Sequence, residues 1–230
     1  MTLSKVVKSD AKSFLAGIPD GSVDCVFTDP PYSQEAHNRG MAGKRKIYKE
    51  MSEWTNLDAK FFTDEWLDEY IRVCKFPNVL LFMNEKELSG VLHYAAQKGL
   101  ESTKVIPILK ETPMPFTNNN WLTNEYLVHL TDRKLGVCDD YHYKIPYFVV
   151  KTGFKETDHP NEKPIIIARS VIVNCTSAGQ TVLDCFAGSN TIGCACMLEG
   201  REFIGCELSE KWVEYGNKRL EELSKQRFMF

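Results

Sequence analysis

Between Thr181 and Glu207 the chain sets two short apolar strands on either side of one helix of small residues, and few folds can hold that arrangement. Thr181 to Cys185 reads as a strand, Phe186-Ala187-Gly188-Ser189-Asn190 as a tight turn and Thr191 to Leu198 as a helix. Glu202 to Gly205 is the next strand, ending at Cys206-Glu207. Strand, helix and strand joined this tightly form a βαβ unit, in which the strands run parallel and helices cover the sheet.

In nucleoside-binding units of this kind, glycine lets the backbone approach the ligand, and a carboxylate closing the second strand accepts from ribose hydroxyls. Gly188 and Glu207 stand in those places, with Asp184 near the end of the first strand. The turn lacks the full G-x-G-x-x-G of pyrophosphate binders. It suits a nucleoside without a diphosphate, such as S-adenosylmethionine; a plain βαβ packing unit is the competing reading.

A second corner lies near the N-terminus, where the apolar run Val23 to Thr28 stops at Asp29-Pro30-Pro31-Tyr32. Both prolines have φ fixed, and Pro31 drives Pro30 out of the helical region, so this backbone is extended and preset. Neither proline has an N–H. The Asp29 carboxylate and the carbonyls of Asp29 and Pro30 therefore make a cluster of acceptors beside Tyr32, suited to a planar ligand bearing an NH2 group. A strand stop whose aspartate caps a turn is the bland alternative.

The remaining elements keep an α/β cadence. Ser4 to Lys8 is a strand, and Asp10 caps a helix through Ile18. Asp64 to Phe76 and Glu85 to Gln97 are helices flanking the buried strand Val79 to Met83. Lys104 to Leu109 and Tyr126 to Leu130 are strands, and Tyr147 to Lys151 adds an edge strand. Pro164 opens an Ile- and Val-rich helix through Cys175, and Ser209 to Leu223 is a final amphipathic helix.

A chain of 230 residues that is 43% apolar supports one large domain. Its net charge of −3 means that contact with a polyanion must come from a local patch. Arg39, Lys44, Arg45, Lys46 and Lys49, directly after Tyr32, form such a run; a solvated loop is the alternative. No apolar stretch is long enough to span a membrane, and the expectation is a cytosolic protein. The eight cysteines include no C-x-x-C pair, so they read as reduced structural thiols, with no metal site. Cys194 and Cys196 are expected on different sides of their helix.

Asp29-Pro30-Pro31-Tyr32, then His159-Pro160-Asn161-Glu162-Lys163-Pro164, then Phe186-Ala187-Gly188-Ser189-Asn190 resemble, in that order, the beta class of DNA amino-methyltransferases. The resemblance runs from about Val6 to Leu220. It implies a circularly permuted Rossmann-like methyltransferase sheet, mostly parallel with one antiparallel strand, in a single domain with DNA-contacting insertions around 33–60 and 111–146. The implied activity is transfer of a methyl group from S-adenosylmethionine to the N6 amine of a flipped adenine in DNA, in a prokaryotic or phage-host cytosol. A homodimer is common in the class. N4-cytosine methylation, RNA methylation and a non-catalytic DNA-binding subunit are the alternatives.

Carried over residue by residue, the resemblance makes Asp29, Pro30, Pro31 and Tyr32 the catalytic corner. It places Asp10, Asp29, His159, Asn161, Lys163, Asp184, Phe186, Gly188, Ser189, Asn190 and Glu207 around the cofactor, with Asp10 at its adenine, Lys163 at its carboxylate and Glu207 at its ribose. Asn190 departs from the usual F-x-G-S-G and is expected to affect cofactor affinity.

Overall fold

The computed structural model describes residues 4–31, 61–111, 124–135, 138–151 and 162–227. Tyr32, the basic residues Arg39, Lys44, Arg45, Lys46 and Lys49, and His159 and Asn161 lie outside them.

Eight strands form one sheet: β1 (Lys5–Lys8), β2 (Cys25–Thr28), β3 (Asn78–Asn84), β4 (Lys104–Lys110), β5 (Glu125–Thr131), β6 (Phe148–Val150), β7 (Thr181–Asp184) and β8 (Glu202–Glu207). Their spatial order is β1-β8-β7-β2-β3-β5-β4-β6. Among the described residues six α-helices accompany them: α1 (Ala11–Ala16), α2 (Asp64–Val73), α3 (Glu85–Gln97), α4 (Ile165–Cys175), α5 (Thr191–Leu198) and α6 (Glu210–Arg227). The strand carrying the acidic corner thus precedes the βαβ unit in sequence yet lies directly beside it, as the permuted order requires. Only β5 runs against its neighbours β3 and β4; every other described pairing is parallel.

Both faces of the sheet are covered, which explains why β3 is apolar without alternation. Leu80 and Phe82 turn to the face packed by α4, α5 and α6. Val79, Leu81 and Met83 turn to the face packed by α1, α2 and α3. Each such fully buried side chain contributes roughly 1.5–3 kcal/mol. The connection from β7 to β8 runs through α5 on the first face, whereas that from β2 to β3 includes α2 on the second. β2 and β7 are neighbours, so the sheet's topological switch point falls between them. Ligands of open α/β sheets bind outside the carboxyl ends of the strands at that point.

α5 is buried all round from Thr191 to Cys196, so both of its cysteines are enclosed whichever side of the helix they take. All eight cysteines are buried and free of disulfides. The stretch 111–146 contains β5, where the sequence reading expects the strand Tyr126 to Leu130. Among the described residues, no helix is long and apolar enough to cross a membrane.

Candidate active site

Thr28 ends β2 and Asp184 ends β7, and the two side chains meet. Thr28 Oγ1 donates to Asp184 Oδ1 at 2.6 Å, and the same oxygen accepts from Phe186 N at 3.0 Å. Thr28 is 0% and Asp184 1% exposed. This hydrogen bond fastens the acceptor corner, which starts one residue later at Asp29, to the turn that starts at Cys185. Burial pushes the Asp184 carboxyl up to about 7; the bonds from Thr28 and Phe186 pull it down, while the charges of Asp29 and Glu207 raise it.

The turn itself is held from three directions. Ala187 N donates to Cys206 O at 3.0 Å, and Gly188 N donates to Glu207 Oε2 at 2.9 Å. Glu207 Oε1 accepts from Ser209 N at 2.8 Å, so both oxygens of this acid brace backbone. Burial raises the Glu207 carboxyl against those stabilising bonds. Arg219, from α6, donates through Nη1 to Ser189 O at 2.8 Å and pairs with Glu162 at 3.3 Å. Gly188 has φ +50°, a left-handed conformation that glycine adopts without steric cost. The Phe186 ring packs edge-on to Phe61 at 4.7 Å and lies 6.2 Å from Trp66, forming an aromatic wall.

Asp29, Lys163, Asp184, Phe186, Ala187, Gly188, Ser189, Thr191 and Ile192 line one cleft that is partly open to solvent. The acidic corner and the small-residue turn, far apart in sequence, therefore share one cleft. Pro30 is buried behind it and Pro31 is exposed.

Lys163 lies in the lining, and its charge is directed at acids. Its Nζ stands 3.2 Å from Asp29 Oδ2 and 3.2 Å from Glu125 Oε2, and 5.0 Å above the Phe82 ring. Glu125 also meets Lys110 Nζ at 2.6 Å. Burial by itself would raise the Glu125 carboxyl, but the two lysines outweigh it and hold it at about 2.

Three expected cofactor residues stand apart from the cleft lining: Glu207, whose oxygens brace the turn's backbone, Asp10 and Asn190. Asp10 caps α1, accepting from Ser13 N at 2.9 Å, a bond that lowers its carboxyl; it sits beside Glu207 because Ser9 N donates to Glu207 O at 3.2 Å. Asn190 has the left-handed backbone (φ 62°) that glycine would take in F-x-G-S-G. Its side chain turns away from the cleft to α6, where Nδ2 donates to Gly216 O at 3.2 Å. A Cβ at Gly193 would collide with Asn190 Oδ1, and one at Gly216 would stand 2.9 Å from its Cβ, so two glycines make room for this asparagine.

Sequence reasoning missed Thr28, Glu125 and Arg219. Thr28 was the apolar run's last residue, and its neighbour across the sheet is set only by pairing. Glu125 reaches Lys163 in the cleft wall because β5 is antiparallel, and Arg219 reaches the Ser189 carbonyl because α6 folds back over the turn. Among the described residues, no group of three or more His, Cys, Asp or Glu is placed to hold a metal ion.

Comparison with known proteins agrees with this geometry. The chain is 27% identical over 94% of its length, and 82% of the relative's, to the DNA adenine methyltransferase YhdJ of Escherichia coli K12. It is 25% identical to the Type II methyltransferase M2.DpnII of Streptococcus pneumoniae, over 94% of this chain and 89% of that one. Among solved structures, the M1.HpyAVI–SAM complex superposes with a TM-score of 0.67 at 22% identity, covering 94% of this chain and 98% of that one. The cytosine-N4-specific PvuII DNA methyltransferase superposes at 0.65 with 15% identity, covering 98% and 91%. The family described as DNA methylase, N6_N4_Mtase, matches residues 23–218, and the chain belongs to it.

Proposed function

We propose that this protein transfers the methyl group of S-adenosylmethionine to the N6 amine of an adenine flipped out of DNA. The observation that carries the reading is the shared cleft, with Asp29 on one strand end and the Phe186–Ser189 turn on the adjacent one. Gly188 presents backbone without a side chain, Phe186 offers an apolar wall, and the Asp29 carboxylate supplies negative charge. These features fit a nucleoside that bears a cationic centre.

When bound, S-adenosylmethionine supplies a methyl group whose bond to sulfur breaks as the bond to nitrogen forms. The protein's part is to prepare the amine, whose lone pair is delocalised into the ring. The Asp29 carboxylate and the Pro30 carbonyl accept its two N–H bonds, which favours a pyramidal nitrogen and aims its lone pair; positioning and electrostatics supply most of the rate. One proton then leaves the nitrogen for Asp29 or an adjacent water. Tyr32 is the stacking face for the flipped base. Lys163, His159, Asn161, Asp10 and Glu207 complete the cofactor's surroundings in this reading.

Asp29, where cytosine enzymes more often have serine, and the adenine-specific relative support adenine as the base. The fold does not decide the base, since the PvuII enzyme named for cytosine shares it. Incubation with DNA and labelled donor, followed by digestion to nucleosides, should give N6-methyladenine. Label in N4-methylcytosine would overturn the base, and label in RNA alone would overturn the substrate.

Arg39, Lys44, Arg45, Lys46 and Lys49 are proposed to contact phosphates rather than read bases. Neutralising the first four should flatten the salt dependence of DNA binding by about 0.9 in log–log slope per lost phosphate contact. An unchanged slope would refute it.

A further inference from the structure

Asp29, Lys163, Glu125 and Lys110 form a chain of alternating charge that ends in the cleft. The chain exists because one strand is reversed. In the parallel strands the last residues reach the carboxyl edge of the sheet; β5 runs the other way and delivers its first residue, Glu125, which pairs in register with Asn84 at the end of β3. Lys163 arrives from the segment before α4 and is 13% exposed in its side chain, against 22% for Asp29 and 25% for Glu125. A lysine this enclosed, equidistant from two carboxylates, is shared between them.

We infer that Glu125 is a positioning residue for the Asp29 carboxylate: it anchors Lys163 between two acids, so that the ammonium does not commit itself wholly to Asp29. The inference rests on Asp29 being the acceptor of the substrate amine. A lysine given over to Asp29 would lower its basicity and compete with the amine N–H groups for its oxygens. Divided between two acids, the same lysine keeps Asp29 ionised and leaves it basic enough to accept. Lys110 sets the balance from the far side by drawing on Glu125.

The charges that face Asp29 among the described residues come from three elements: Lys163 before α4, Glu125 on β5 with Lys110 of β4 behind it, and Asp184 on β7. Removing a negative charge from this group must lower the Asp29 titration, and removing a positive one must raise it. The test is the pH dependence of single-turnover methyl transfer in Glu125→Gln and Lys110→Met, with donor affinity measured by calorimetry. The acid limb should move down by about half to one pH unit in Glu125→Gln and up by a similar amount in Lys110→Met. The neutral-pH rate of Glu125→Gln should fall about three- to tenfold, with donor affinity nearly constant.

A purely structural Glu125 would lower rate or melting temperature in both variants without opposite movements of the limb, and that result would overturn the inference. Should Glu125→Gln fail to fold, Lys110→Met still has to shift the limb upward. Titration of the Asp29 carboxyl by carbon-13 NMR, assigned with Asp29→Asn, must follow the same opposite directions in the free protein. That readout holds even if the methylated base proves to be cytosine, so the base assignment and this inference fail separately.

Discussion

β2 and β7 lie side by side, and a buried carboxylate fastens each end of the pair, but the two ends are electrostatically unlike. At the amino end, Asp24 Oδ1 accepts from Lys75 Nζ at 2.8 Å and Gln180 Nε2 at 3.3 Å, and Oδ2 accepts from Thr181 N at 2.9 Å. At the carboxyl end, Asp184 receives a hydroxyl and a backbone amide, while the charges that act on it, Asp29 and Glu207, share its sign. Asp24 is 5% and Asp184 1% exposed, so burial does not distinguish them. A cation does. The amino end is complete in itself and locks the strands; at the carboxyl end Lys163 pairs with Asp29, and the charges acting on Asp184 are those of two other acids, where a sulfonium donor would bring a cation.

The comparison breaks most sharply at the reacting amine. Asp29→Ala should reduce methyl transfer by about 10²-fold or more, the loss typical of removing a preorganised hydrogen-bond partner, with donor affinity largely retained. An active variant would remove Asp29 from the chemistry. At the opposite end, Asp24→Ala should cost about 1–2 kcal/mol of stability in urea denaturation, because it removes the acceptor of the part-buried Thr181 N–H; half-exposed Lys75 adds little. Rate per folded molecule should stay near wild type. If Asp24→Ala instead impaired transfer as much as stability, the division between a locking end and a reacting end would fail.

This division was only half legible in the sequence. Apolar runs and turn residues placed the elements: α3 at Glu85–Gln97 and α5 at Thr191–Leu198 coincide with the sequence reading. The acidic corner and the small-residue turn were visible because prolines and glycine announce backbone geometry. Strand direction has no such local signal. Nothing in Glu125 to Thr131 says that it runs backwards, and so nothing marked Glu125 as the partner of Lys163. The Thr28–Asp184 bond was hidden for a related reason, since its partners are far apart in sequence and meet only through the β2–β7 pairing.

The Asp184 carboxyl sharpens the contrast through pH. Its folded value, raised to about 7 from an ordinary 3.8, means that the native state holds this proton where the unfolded chain has released it. The stability contribution is therefore intact below about 4, is lost as pH rises towards about 7, and stays lost above. Asp184→Asn keeps an acceptor for Thr28 and Phe186 without the charge. Its urea midpoint should exceed that of wild type at pH 8 and converge with it near pH 4, while donor affinity falls. A difference independent of pH would mean that Asp184 is held ionised, as a salt-bridged acid would be.

The smallest effect is expected where the sequence suggested a larger one. Asn190→Gly restores the usual turn residue, and three consequences oppose one another. Glycine relieves the left-handed backbone at φ 62° and removes a buried Oδ1 that has no hydrogen-bond partner among the described residues. It also forfeits the Nδ2 bond to Gly216 O and the packing between α5 and α6. These terms are each about 1 kcal/mol and differ in sign, so stability should change by no more than about 1 kcal/mol. Donor affinity should change less than about twofold, because the asparagine side chain faces the helices while the turn's backbone faces the cleft. A tenfold loss or gain in affinity, measured by calorimetry with stability unchanged, would mean that the side chain reaches the donor after all, and the carboxyl end would then extend further into α5 than the cleft lining indicates.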